Sequence, residues 1–333
     1  MPLGGCRSPE HEDRGFTRGR WFSHRPQLFS KAVFMMSSHT RGLLMICITI
    51  LLWGVLAIAL KYSLKFISVC TIIWFRFAFS CLFLVGYYLV RNPGSFAILK
   101  RPPILGIVAG LALCGNYYGF TVALDLTTPS NVQILIQLSP LLVAVIGITY
   151  FKEELTRLQI LGFFIAALGF VLFYWDQIQH LVISKDSYLK GNLWVMFSAL
   201  SWAVYAVCQK ILVRTWTPLQ TNLLIYVVAS VVFLPAARFD ELAGISDGTV
   251  WAVLLFMGAN TLVAYAALSE SLRLLPANEV SAMIVLNPLI TLAIAAELTR
   301  RNVSWMPAEN MTLLGYVGAL ALLLGVGCVV KKH

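Results

Sequence analysis

The sequence predicts an all-α membrane protein that crosses the bilayer ten times, as two inverted repeats of five helices. Only 12% of its 333 residues are charged and 59% are hydrophobic, whereas soluble domains have about 25% charged residues. Residues 41–175 and 191–330 also repeat one order of hydrophobic runs, polar residues and prolines. A chain this apolar could not bury its hydrophobic surface in water, so we predict a polytopic membrane protein.

Ten hydrophobic runs come close to the roughly 20 residues that a helix needs to cross a bilayer. We place them at about 41–64, 68–90, 103–122, 130–150, 158–175, 191–212, 218–236, 249–269, 277–297 and 311–330. Pro103, Pro129, Pro218 and Pro276 fall where a helix begins, a position that tolerates the missing N–H. Each span is predicted to be helical because backbone exposed to lipid must form its hydrogen bonds internally.

The first 40 residues differ from the rest of the chain. Residues 1–40 are polar and rich in arginine, and they contain no apolar core like that of a secretory signal. We predict a disordered cytoplasmic tail. Met35 and Met36 are alternative start positions, since residues 1–34 have no counterpart in the repeats.

The distribution of positive charge predicts the orientation of the helices. With both termini inside, ten Lys and Arg lie in cytoplasmic connections and seven more in the tail, against seven in outer connections. The positive-inside rule therefore predicts a multi-pass plasma (inner) membrane protein with both termini cytoplasmic. Five spans per copy place the second copy in the opposite orientation, which permits alternating access at the interface of the repeats.

The first helix of each copy carries a tryptophan and a lysine at the same spacing. Trp53 and Trp202 each stand eight residues before a lysine, Lys61 and Lys210. The two tryptophans are candidate substrate contacts because an indole ring combines apolar surface with a polar N–H. We expect the two lysines to reach the membrane interface with their long side chains and not to line the cavity.

Asparagines and prolines also recur at matched places. Asn116 and Asn260 lie in the third run of each copy, and their amides can bond to a substrate or to a neighbouring helix. Pro140 and Pro288 lie deep inside the fourth run of each copy and predict two broken helices. Helices broken in matching places indicate a binding site at the interface of the repeats.

The fourth span carries a polar face beside its proline. Ser130, Gln133 and Gln137 are spaced three and four residues apart, so they lie on one side of a helix that Pro140 interrupts. The proline frees a carbonyl near Ile136, which must find another donor or a ligand. This face is either a polar cavity wall or a set of interhelical hydrogen bonds. The ninth span repeats the pattern in part, so we expect the first copy to contribute more of the recognition.

Arg76 is a charged residue well inside a hydrophobic run. A guanidinium in hydrocarbon is costly, and such residues usually face the bundle interior or a wet cavity. Arg76 is therefore a candidate anchor for an anionic group of a substrate, which it can bind with two parallel hydrogen bonds. The alternative is a structural arginine that reaches the interface or bonds to carbonyls.

Small residues form one face of the last helix in each copy. They are Gly162, Ala166 and Gly169 in the first copy and Gly315, Gly318 and Gly325 in the second. Such faces let helices approach closely, either within one chain or between two chains in a homodimer.

The order of these features resembles the drug/metabolite transporter superfamily, and more closely its EamA-type members with ten helices. The residues that carry the resemblance are Trp53-Gly54, Lys61, Arg76, Ser139-Pro140 and Glu153-x-x-Thr156-x-x-Gln159-x-x-Gly162. The resemblance covers about residues 41–330. It implies a secondary carrier of small metabolites, often an exporter, without naming the substrate.

We therefore predict a secondary transporter, an exporter, of small polar or amphipathic metabolites such as amino acids or organic acids. Its partners are the lipid bilayer and the substrate, with no nucleic acid, because the positive charges lie mostly in short connections. No cofactor or metal is predicted, since Cys and His show no ligand spacing. The alternatives are a membrane enzyme for lipid-linked substrates and a channel, but the sequence has no P-loop or HExxH motif.

Overall fold

The secondary structure consists of helices, and no strand occurs among the residues that the structure describes. The computed structural model describes residues 37–150, 152, 154–179, 185–306 and 312–330. Residues 1–36 of the predicted tail, and Glu153 of the family-like motif, lie outside the described residues. The first helix begins at Ser38, three residues before the predicted start.

Twelve helices of seven residues or more in the described part of the chain are labelled α1 to α12. The first copy contains α1 Ser38–Ser63, α2 Val69–Arg91, α3 Ile104–Leu126, α4 Pro129–Leu135, α5 Leu138–Thr149 and α6 Arg157–Gln179. The second copy contains α7 Lys185–Leu212, α8 Pro218–Phe233, α9 Gly248–Leu274, α10 Ala277–Ile284, α11 Asn287–Arg300 and α12 Leu313–Val330. Shorter helical turns lie in the connections at Pro93–Phe96, Ala97–Lys100, Leu234–Ala236 and Phe239–Ala243.

Seven helical segments of the described residues are long and apolar enough to cross a membrane. They are 38–63, 69–91, 104–126, 186–212, 218–236, 248–274 and 279–300. Two further apolar helices, 157–173 and 313–322, are shorter, and the predicted fourth span is divided between α4 and α5. The all-α membrane class is therefore confirmed, while the count of ten spans stays a prediction.

The four prolines predicted at helix starts all lie at the first turn or directly before it. Pro129 and Pro218 open α4 and α8, and Pro103 and Pro276 are the residues that precede α3 and α10. Proline has no N–H, and the first N–H groups of a helix have no intrahelical acceptor, so these positions lose no hydrogen bond.

The two deep prolines follow breaks in the helices. In the first copy the break lies between Leu135 and Leu138, and the Ile136 carbonyl accepts from the Ser139 N–H at 2.9 Å and from its hydroxyl at 2.8 Å. Ser139 thus supplies the donor that Pro140 cannot. The second copy breaks between α10 and α11, just before Pro288.

Helices of the two copies pack against each other in matching pairs, so that the copies exchange corresponding contacts. The first helix of each copy packs on the third helix of the other, α1 on α9 and α7 on α3. The second helices pack together, α2 on α8, and so do the last helices, α6 on α12. The described residues from Ser37 onward form one compact bundle because of this exchange.

The glycine faces of α6 and α12 meet within the chain. A Cβ atom on Gly169 would lie 2.5 Å from the Leu322 backbone nitrogen, and one on Gly325 would lie 2.4 Å from the Ala166 nitrogen. Real Cβ atoms do not approach backbone so closely, so the contact requires glycine. These faces are already occupied inside one chain, and a homodimer stays a prediction.

A glutamate from a connection caps the start of α2. Glu241 Oε2 accepts from the Ser68 N–H at 2.9 Å. Burial by itself would raise the pKa of Glu241, but the hydrogen bonds from Ser68 and Thr71 and the charge of Arg238 outweigh burial, so its pKa lies below the ordinary value. A carboxylate at this position also complements the positive end of the helix dipole.

Candidate functional site

A cavity lies where helices of the two copies meet, beside both helix breaks. It measures about 70 Å³, several times the roughly 10–15 Å³ that one water requires. Eleven of its fifteen lining residues come from the first copy and four from the second. The first copy supplies Trp53, Leu56, Arg76, Asn116, Tyr117, Phe120, Thr121, Gln133, Ile136, Gln137 and Ser139. The second copy supplies Trp202, Tyr265, Ile284 and Asn287.

Six of the seven residues that the sequence proposed as substrate contacts lie around this cavity. They are Trp53, Arg76, Asn116, Gln133, Gln137 and Trp202. Asn260, the seventh, is buried but does not belong to the lining. These six residues come from five helices and one break, and their role in binding stays a prediction.

Arg76 is buried in this wall, with no acidic partner in the part of the chain that the structure describes. Its side chain is 2% exposed, and its Nε donates to the Thr261 hydroxyl at 3.0 Å. The guanidinium carbon lies 4.3 Å from the centre of the Tyr117 ring, within the range of a cation–π interaction. Among the described residues, no carboxylate lies within ion-pair distance of Arg76. The site therefore holds a buried positive charge that hydrogen bonds and a ring stabilise only in part.

The two glutamines of the fourth span use their nitrogens within the bundle and leave their oxygens unpaired. Gln133 Nε2 donates to the Trp53 carbonyl at 3.2 Å, and Gln137 Nε2 donates to the Gln133 carbonyl at 3.0 Å. Their buried Oε1 atoms accept no hydrogen bond from any residue that the structure describes. The Gln133 amide thus bonds to a neighbouring helix, the Gln137 amide bonds within its own span, and both residues line the cavity.

Aromatic rings from both copies form one side of the cavity. The Trp53 ring lies 6.1 Å from the Trp202 ring, almost perpendicular to it, and 5.2 Å from the Tyr265 ring, between ring centres. Tyr265 in turn lies 5.9 Å from Tyr117, on which Arg76 rests. This continuous aromatic wall joins the two predicted tryptophans to the buried charge.

Asn116 and Asn260 both bond across the interface of the copies. Asn116 Nδ2 donates to the Ser198 hydroxyl at 2.9 Å, which ties α3 to α7. Asn260 Nδ2 donates to the Leu52 carbonyl at 2.6 Å, which ties α9 to α1. The matched asparagines therefore hold matched helix pairs together, as amides in membranes often do, and Asn116 alone of the two reaches the cavity.

Lys61 and Lys210 each hold the end of a neighbouring helix. Lys61 Nζ donates to the Leu124 carbonyl at 2.6 Å and the Thr127 carbonyl at 2.9 Å, at the end of α3. Lys210 Nζ donates to the Leu272 carbonyl at 2.8 Å, at the end of α9. Carbonyls at a helix end lack intrahelical donors and carry partial negative charge, so a lysine there is stabilising.

Asn287 lines the cavity, although the sequence pattern did not propose it as a substrate contact. Its side chain is 4% exposed, and its Oδ1 has no partner among the described residues. Its place directly before Pro288 matches that of Ser139 before Pro140. The matched break was therefore a usable signal for a cavity residue in the second copy.

An apolar bundle of helices around a cavity lined by both copies, with helices broken beside it, is typical of membrane transport proteins. Residues 40–175 and 189–331 each match the EamA-like transporter family. The chain belongs to this family. The membership confirms the resemblance to the drug/metabolite transporter superfamily and favours a transporter over an enzyme.

Known relatives cover most of the chain. It is 30% identical over 287 residues to a protein of Escherichia coli K12 named "Uncharacterized inner membrane transporter YhbE". The aligned region covers 85% of this chain and 89% of that protein. It is 28% identical over 282 residues to an "Uncharacterized transporter" of Haemophilus influenzae. A solved crystal structure shares the fold with a TM-score of 0.64 at 17% identity, over 87% of this chain and 97% of that chain.

Proposed function

We propose that this protein is a secondary transporter that exports small metabolites carrying a carboxylate, with amino acids as the favoured class and organic acids next. Transport proceeds by alternating access of the cavity between the two copies. The observation that carries the proposal is Arg76, a buried guanidinium without an acidic partner among the described residues, in the wall of the cavity.

An anion is the natural partner of this charge. A buried arginine without a counter-charge is costly, and a carboxylate in the cavity would remove most of that cost through two parallel hydrogen bonds. The Arg76 guanidinium donates to Thr261 through Nε. Its two Nη atoms donate no hydrogen bond to a residue that the structure describes. A fixed guanidinium loses less freedom on binding than a mobile one.

Unpaired acceptors favour a substrate that also carries a donor. Gln133 Oε1, Gln137 Oε1 and Asn287 Oδ1 are buried in lining residues and lack donors among the described residues. Each such atom costs about 1–3 kcal/mol, which an ammonium group could recover in the bound state. A carboxylate partner and several acceptors together fit a zwitterion, and the aromatic wall fits an apolar side chain.

The contacts at the helix ends support ten spans in two inverted repeats. Gly191, near the start of α7, approaches Thr127 at the end of α3, and Lys61 at the end of α1 bonds to the same region. The start of α1 instead contacts the end of α9, through Arg41 and Glu270. On this proposal α1 and α7 run in opposite directions, as alternating access by rocking requires.

Thermal unfolding of the purified protein tests the proposed substrate class. We expect α-amino acids to raise the melting temperature more than the matching carboxylic acids, and the matching amines to raise it least. The reason is that a ligand of the folded state stabilises it by mass action, about 2.7 kcal/mol at a hundred times its Kd. Counterflow of the stabilising compound in proteoliposomes then tests transport. Release of the same compound from cells loaded with it tests export.

The matched series of compounds separates the possible results. Stabilisation by amines in preference to acids would contradict the role of Arg76. No stabilisation by any of the three classes, with counterflow also absent, would overturn the proposed substrates while leaving the family membership intact.

Reporter fusions test the proposed orientation in an inner membrane. We expect fusions after residue 333 and within 92–103 to report the cytoplasm, and a fusion within 244–247 to report the outer side, because Lys and Arg concentrate in the connections assigned to the cytoplasm. A carboxy-terminal fusion found outside would show that the span count is wrong.

A further inference from the structure

The start of α1 is joined to the start of α10 by a titratable pair. His39 Nε2 lies 3.0 Å from Glu279 Oε2. The Glu279 side chain is 8% exposed and that of His39 is 26% exposed, so the pair lies at the edge of the bundle and solvent reaches its imidazole. The α10 helix that carries Glu279 also carries Ile284, a lining residue of the cavity.

The other copy has a corresponding contact without a group that titrates near neutral pH. His39 stands fourteen residues before Trp53, and Tyr188 stands fourteen before Trp202. Glu279 stands nine residues before Pro288, and Asn131 stands nine before Pro140. In this matched position the Tyr188 hydroxyl donates to Asn131 Oδ1 at 2.7 Å.

The two contacts lie at different helix ends. The Tyr188 contact is near the end of α3, where Gly191 approaches Thr127. The His39 contact is near the end of α9, where Arg41 bonds to Glu270. Each contact ties the start of one copy's first helix, which carries a lining tryptophan, to the start of the other copy's broken helix.

The other charged groups near the His39 contact are two arginines, a lysine and a glutamate. Arg41 of α1 and Arg273 of α9 both pair with Glu270, Arg273 at 2.7 Å. Lys210 of α7 bonds to carbonyls at the end of α9. The other helices packed on α10 are α5 and α12, whose described residues carry no Asp, Glu, Lys, Arg or His, although α12 carries Tyr316 and Cys328.

We propose that His39 and Glu279 form a proton-sensitive latch that holds one entrance of the cavity closed when the solution at that entrance is acidic. The inference rests on the proposed alternating access. An imidazole ordinarily changes its charge between pH 5 and 8, whereas carboxylates and guanidinium groups do not. Uptake of a proton by the imidazole turns its hydrogen bond to the carboxylate into an ion pair between opposite charges, which is stronger. The Tyr188 contact has no such response.

Cysteine labelling of the cavity measures the opening of this latch. Ile136→Cys is introduced into the full chain after its seven native cysteines are replaced by alanine, and the protein is reconstituted in lipid nanodiscs. The rate of reaction with a neutral maleimide is measured from pH 5.5 to 8.0. Dividing by the rate of the same cysteine with His39→Tyr, which copies the neutral contact, cancels the thiolate's own pH dependence.

We expect this ratio to rise about fivefold from pH 5.5 to 8.0, the upper end of what a partly exposed ion pair contributes. Glu279→Gln, which removes the negative charge of the pair, should flatten the rise. Tyr188→Phe, at the other entrance, should leave the rise unchanged. A ratio that is constant with pH, or a rise abolished by Tyr188→Phe, would overturn the latch.

The same experiment separates the latch from the proposed function. A cysteine that reacts at every pH with a constant ratio rejects the latch and retains an accessible cavity. A cysteine that does not react at pH 8.0 even in the His39→Tyr protein rejects both, because the cavity then has no open state on either side.

Discussion

Replacement of Arg76 by methionine is expected to weaken substrate binding strongly without lowering the stability of the protein. Methionine keeps the length and apolar stem of the side chain and removes the charge. Hydrogen bonds to charged groups are worth about 1.5–3 kcal/mol, so we expect binding to weaken by about ten- to hundredfold. Removal of a buried, unpaired charge should leave the melting temperature without ligand unchanged or raise it.

The stability of the variant distinguishes a binding role from a structural role. If Arg76 serves the structure through Thr261 and Tyr117, which it contacts, Arg76→Met should melt at a lower temperature. Arg76→Lys keeps the charge but cannot form the two parallel bonds of a guanidinium, so we expect it to bind with intermediate affinity. The readouts are the melting temperature with and without the stabilising compound and the rate of counterflow. Normal counterflow in both variants would place the substrate elsewhere.

Replacement of Gly169 by alanine is expected to destabilise the protein strongly. The added Cβ would lie 2.5 Å from the Leu322 nitrogen and 2.7 Å from the Gly318 carbonyl oxygen. Both are backbone atoms of α12, so α6 and α12 must separate to relieve the clash. Overpacking of this kind costs about 1–3 kcal/mol, and we expect a melting temperature lower by several degrees and a lower yield of folded protein.

The same substitution at another glycine provides the control. Gly86 lies in the interior of α2, and an added Cβ there meets nothing within 4 Å. Alanine favours a helix over glycine by about 1 kcal/mol, so Gly86→Ala should melt at the same temperature as the unaltered protein or slightly higher. Equal effects of Gly86→Ala and Gly169→Ala would show that the contact between α6 and α12 does not depend on small residues.

The sequence alone determined those features that depend on local chemistry. Low charge and long apolar runs predicted the membrane helices because each run must satisfy its own backbone in lipid. Pro140 and Pro288 predicted broken helices because a proline removes one N–H and obstructs one turn wherever it stands. The duplication indicated where to look for a cavity, and six of the seven proposed contact residues lie around it. Their binding roles stay predictions.

The tertiary structure alone decided which partner each polar side chain meets. Lys61 and Lys210 bond to helix ends, and Asn260 bonds to α1 away from the cavity. His39 meets Glu279 across 240 positions of sequence. The physical reason is that hydropathy and proline sterics act within one helix, whereas a partner depends on how helices of the two copies pack against each other. That exchange between the copies leaves no trace in the spacing of residues along the chain.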